Sequence, residues 1–84
     1  MNSGDQIKLL VFGWVREAIG SPYIIIENMQ GRTVRELRGH LHSLYSFEEK
    51  LKDSMIAVNH KYASDDVVLR TSDEIALIPP VSGG

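Results

Sequence analysis

The sequence has no cysteine. That absence removes disulfides, thiolate nucleophiles and sulfur-based metal sites together. The chain must hold itself together by packing, and any sulfur chemistry must be carried on something other than a thiol side chain. There is no excess of basic residues either: Lys and Arg number 9 against 11 Asp and Glu, for a net charge of −2. Phosphate backbones are bound through basic patches, so nucleic acid is excluded as a partner. No apolar run is long enough to cross a bilayer, and the opening Met1-Asn2-Ser3-Gly4-Asp5-Gln6 is polar rather than a signal peptide. The expectation is a cytoplasmic protein with no membrane partner. Neither a Gly-rich phosphate loop nor a dinucleotide fingerprint occurs, so any activation by ATP belongs to another protein.

Side-chain catalysis and metal binding find no support. His40 and His42 are two apart on a predicted helix, which turns them about 200° from each other. His60 falls in a predicted turn with no partner in sequence. Asp65-Asp66 and Asp73-Glu74 lack a third oxygen ligand at binding-loop spacing and read as turn chemistry. No metal and no bound cofactor are expected.

What is present fits one small domain of 84 residues. Ile7 to Phe12 is a β-branched and aromatic run of strand length. Trp14 to Ile19 reads as a short helix closed by Gly20, and Tyr23 to Glu27 as a second strand, antiparallel to the first. Thr33-Val34-Arg35-Glu36 is a capping box opening a helix whose Val34, Leu37, Leu41 and Leu44 form one apolar stripe. Gly39 inside this helix implies close backbone packing. Tyr45 to Asp53 is an irregular connection that has room for a helical turn at Glu48 to Leu51. Met55 to Val58, a short return at Lys61 to Ala63, and Glu74 to Ile78 complete the strands. Two strands, a helix and further strands predict an α+β fold, a ubiquitin-like β-grasp, with the last strand central beside the first.

The chain stops on Pro79-Pro80-Val81-Ser82-Gly83-Gly84. Two terminal glycines have nothing to pack and lose more backbone freedom on ordering than any other residue. Taken alone they fit a frayed terminus equally well. The prolines decide for function, because they end strand pairing directly after an apolar strand. Residues 1–78 are therefore read as the β-grasp domain and 79–84 as a protruding tail. At about 3.3 Å per residue the tail could reach roughly 20 Å, enough to thread the Gly84 carboxylate into another protein's active site. With no Cβ on Gly83 and Gly84, the walls of such a site could close on bare backbone.

A first strand ending in Phe12, Val15-Arg16-Glu17 with Gly20 beyond, Ala57-Val58-Asn59, and Asp73-Glu74-Ile75-Ala76 leading to the Pro-Pro-Val-Ser-Gly-Gly ending together resemble the small sulfur-carrier subunits of molybdopterin synthase. The resemblance runs nearly end to end, and departs from the usual pattern at Ser72, Leu77 and Ile78. It implies that a ubiquitin-activating-like adenylyltransferase uses ATP to adenylate Gly84, which then becomes a thiocarboxylate. It also implies that Pro79, Pro80, Val81, Ser82 and Gly83 thread into the large synthase subunit. There sulfur passes to cyclic pyranopterin monophosphate, in an assembly with two copies of each subunit. The carrier itself is then no enzyme, and the catalytic side chains lie on the partner. Related carriers for thiamine or tRNA thiolation, and protein modifiers, share the Gly-Gly end but usually lack Pro-Pro-Val-Ser.

Strand alternation supplies the partner surface. If Ile7, Leu9, Val11, Ile75 and Leu77 face the helix, then Leu10, Phe12 and Ile78 form an apolar patch at the base of the tail. Tyr62 extends it, and Arg16 is a polar contact at its rim.

Overall fold

The computed structural model describes residues 5–44 and 53–79. The elements are β1 (Ile7–Val11), α1 (Gly13–Ile19), β2 (Tyr23–Ile26), α2 (Val34–Leu44), β3 (Met55–Val58), β4 (Lys61–Tyr62) and β5 (Ile75–Ile78). The strands form one mixed sheet in the order β2-β1-β5-β3-β4. β5 runs parallel to β1 and antiparallel to β3, so the last strand is central, as its apolar alternation predicts. This is the α+β β-grasp architecture.

The inner face of the sheet and the stripe of α2 make the core. Ile7, Leu9 and Val11 of β1 and Ile75 and Leu77 of β5 are buried with Val34, Leu37 and Leu41. Val15 of α1, Ile26, Met29, Ile56 and Leu69 complete the cluster. The stripe ends one turn earlier than the periodicity predicts. Leu44 is 53% exposed, because it sits in the last position of α2, past the part of the helix that lies on the sheet. Gly39 also departs from expectation: a Cβ there would meet nothing within 4 Å, so close packing is not its reason.

The capping box forms as its spacing dictates. The Thr33 N–H donates to Glu36 Oε1 at 2.9 Å, and the Glu36 N–H donates back to Thr33 Oγ1 at 3.3 Å. Arg38 fixes the far side of α2 by donating to the Ser54 carbonyl at 2.7 Å and pairing with Asp65 at 3.4 Å. Gly20 closes α1 in the left-handed conformation (φ 82°), its N–H bonded to the Arg16 carbonyl at 2.9 Å. Strand ends are shorter than the apolar runs: Phe12 caps α1, and Glu27, Ala63 and Glu74 lie outside their strands. The connection from Tyr45 to Lys52, with the turn expected at Glu48 to Leu51, lies outside the described residues. Among the described residues no helix is long and apolar enough to cross a membrane.

Candidate functional site

Register places one residue from each strand in a single row on the outer face: Tyr23, Leu10, Ala76, Ala57 and Tyr62. The next row toward the end of β5 pairs Met55 with Ile78. The two alanines at the middle of the first row are short, and the residues around them are long. Their difference in length makes a depression of about 450 Å³, lined by Leu10, Phe12, Ala57, His60, Tyr62, Glu74, Ala76 and Ile78. Its walls are wet where a monomer would bury them: Phe12 is 43% and Tyr62 68% exposed, and Leu10 and Ile78 are half-buried.

Leu10, Phe12 and Ile78, expected from alternation, and Tyr62, expected to extend their patch, therefore share one concave surface. Arg16 lies apart on α1 and lines a second hollow with Gly13, Glu17, Gly20, Ser21 and Pro22. Ala57 and Glu74 also line the depression, and parity along β3 and β5 could have supplied both. His60 could not be found that way, since it stands in a turn where strand alternation does not apply.

β1 and β5 are parallel, so the depression has a direction. Phe12 and Ile78 stand where both strands end, and His60 and Glu74 stand where β5 begins. At that beginning a polar network fixes the backbone. Asn59 donates through Nδ2 to Asp73 Oδ1 at 3.0 Å and accepts the Glu74 N–H at 2.9 Å. Its own N–H bonds the Glu74 carbonyl at 2.8 Å, and Asp73 Oδ2 accepts the Arg70 N–H at 3.0 Å. Asn59 and Asp73-Glu74, distant in sequence, are thus one structural unit.

At the other end Pro79 follows β5 and is half-buried. It lies against Gly13, where a Cβ would come within 3.1 Å of Pro79 Cγ. Gly13 also holds φ 61°, a conformation that side chains disfavour. The first turn of α1 is therefore a backrest for Pro79. Pro80, Val81, Ser82, Gly83 and Gly84 lie outside the described residues.

Among the described residues no group of His, Asp or Glu could hold a metal ion. Far from the depression, the backbone N–H of Thr33, with Arg32 beside it, holds the Glu36 carboxyl below its ordinary range.

The sequence pattern of the ThiS family matches residues 9–84. The chain is 38% identical to the molybdopterin synthase sulfur carrier subunit of Dictyostelium discoideum, over 95% of this chain and 98% of that protein. Its fold is similar to a putative molybdopterin converting factor subunit 1 from Pyrococcus furiosus. There the TM-score is 0.72 at 29% identity, covering 92% of this chain and 99% of the other. It also resembles a chain in the Helicobacter pylori complex of subunits 1 and 2 of molybdopterin-converting factor. That match has TM-score 0.65 at 28% identity, over 94% and 99% of the two chains.

Proposed function

The chain belongs to the ThiS family, among the molybdopterin synthase sulfur carrier subunits, and from this we propose that the Gly84 carboxylate is the group that carries the sulfur. A carboxylate resists nucleophiles through its charge and lacks a good leaving group. Adenylation supplies one: the carboxylate oxygen attacks the α-phosphate of ATP, pyrophosphate leaves, and the acyl adenylate forms. A sulfur nucleophile then displaces AMP, leaving a thiocarboxylate at Gly84. The chain has no nucleotide motif, so a ubiquitin-activating-like adenylyltransferase performs the first step.

In the second half of the cycle the tail from Pro79 through Pro80, Val81, Ser82 and Gly83 enters the large synthase subunit. Sulfur passes there to cyclic pyranopterin monophosphate, and two copies of each subunit make the working assembly. The pairing of subunits 1 and 2 in the Helicobacter pylori complex supports this arrangement. The outer-face depression is the docking surface, with Leu10, Phe12, Tyr62 and Ile78 desolvated against the partner, while Arg16, apart on α1, is a separate polar contact.

The mounting of Pro79 carries the reading. An arm delivers its end efficiently when its root is fixed, and Pro79 is fixed twice, by the end of the central strand and by Gly13. The test uses the purified chain with adenylyltransferase, ATP and a sulfide source. Intact mass should rise by the difference between sulfur and oxygen. A chain extended by one residue beyond Gly84 should keep its fold and show neither the mass gain nor sulfur transfer. Transfer by an extended, untrimmed chain would refute the proposal.

A further inference from the structure

The depression is apolar at the end near Pro79 and charged at the other. His60 and Glu74 stand at that far end, with His60 Nε2 3.1 Å from Glu74 Oε1. An ionised carboxylate only accepts, so Nε2 carries the hydrogen of this bond. The contact uses one carboxylate oxygen. Among the described residues Oε2 of Glu74 has no partner, and the side chains of His60 and Glu74 are 76% and 54% exposed. The nearby charges do not supply one: Asp73 is itself an acceptor, taken by Asn59 and the Arg70 N–H, and the exposed Lys61 makes no ion pair with Glu74.

The turn that presents His60 is unusual. Val58 pairs with Lys61, leaving Asn59 and His60 as a two-residue hairpin loop. Both have positive φ, 54° and 73°. Such loops favour Asn followed by Gly, since glycine adopts this backbone without strain. Asn59 obeys the rule and histidine replaces the glycine. What histidine adds over glycine is the contact with Glu74, which is exposed and adds little stability. Backbone strain retained at a surface lined by apolar residues points to a contact.

Resting on the docking face proposed above, we infer that His60 and Glu74 form its polar reading element and take an arginine side chain of the large synthase subunit. The reason is desolvation. A partner that covers Leu10, Tyr62 and Ile78 also strips water from Glu74, and a buried carboxylate without a donor is costly. The occupant must therefore bring a donor to Oε2. A guanidinium is suited to it, being planar, permanently charged and weakly hydrated. Asn59 holds the Glu74 backbone from both sides, so the acceptor is pre-positioned.

The experiment titrates the large subunit with Glu74→Gln, His60→Gly and Phe12→Asp variants at low and moderate salt, with melting curves for each. Glu74→Gln should bind about tenfold more weakly and with a flatter salt dependence. His60→Gly should melt higher by about 2–5 °C, from relief of the left-handed strain, and yet bind more weakly. A gain in stability joined to a loss of affinity is a signature that a purely structural residue would not give. Wild-type affinity in Glu74→Gln or His60→Gly, or a His60→Gly chain that loses stability along with affinity, overturns the inference. If Phe12→Asp loses binding in that case, the docking face still stands; if Phe12→Asp also binds normally, the face falls with it.

Discussion

Gly39 stands in the exposed face of α2 with open space where a Cβ would go. Glycine in a helix interior costs about 1 kcal/mol against alanine, so Gly39→Ala should stabilise the chain by about that amount in urea denaturation. An unchanged midpoint would mean that the glycine costs the helix nothing at this position. Glu36, at the start of the same helix, makes a pH prediction. Its carboxyl is held below the usual glutamate range by the Thr33 N–H first and Arg32 second. A folded pKa below the unfolded one stabilises at neutral pH, and that contribution fades as pH falls through the folded value. Glu36→Gln keeps an acceptor for Thr33 but has no charge to lose. The gap in Tm between wild type and Glu36→Gln should therefore shrink on acidification below about pH 4. A constant gap would show that the charge contributes nothing to the cap.

The elements differ in how far they can be read from sequence. β1, β5 and the start of α2 were legible because alternation, helical period and the Thr33–Glu36 spacing are local signals. The end of the α2 stripe was not, since the period continues through Leu44 while the sheet beneath does not. Leu41→Ala should cost about 2–5 kcal/mol, whereas Leu44→Ala should cost little, as its side chain is already wet. Equal losses in a denaturation experiment would put Leu44 in a core that the fold does not show. Some of the candidate site was legible for the same reason. Leu10, Phe12 and Ile78 follow from strand parity, which carries across paired strands. His60 was beyond that logic, because a side chain in a two-residue turn points where the backbone angles send it. The union of Asn59 with Asp73 was also hidden: it is made by tertiary pairing of β3 with β5, and no local pattern announces it.

At the scale of the whole molecule, the last strand takes the middle of the sheet. β5 is bonded on one edge to β1 and on the other to β3, while β2 and β4 take the exposed edges. On the function proposed above, this keeps the working end on the central strand and leaves the outer face of the sheet for the partner. Gly13 and Pro79 add a contact outside the ladders, so the root of the tail is braced from the helical side as well.

On the function proposed above, the residues after Pro79 enter and leave a narrow site, and so have to withstand being pulled. Tension on them passes into β5, and because β1 runs parallel alongside, force between the start of β1 and the tail makes the two strands slide lengthwise. All the bonds of that ladder then resist together. The hairpin of β1 and β2 is loaded differently when gripped at Gln6 and Glu27, which lie side by side at its open end. There the bonds break in succession, like the teeth of a zip. Single-molecule extension through the tail and the residue before β1 should need a clearly higher force than extension through Gln6 and Glu27. Equal forces would mean that the sheet has no preferred direction of strength. With this geometry, a pull on the end of β5 against the start of β1 meets the sheet in its stronger direction.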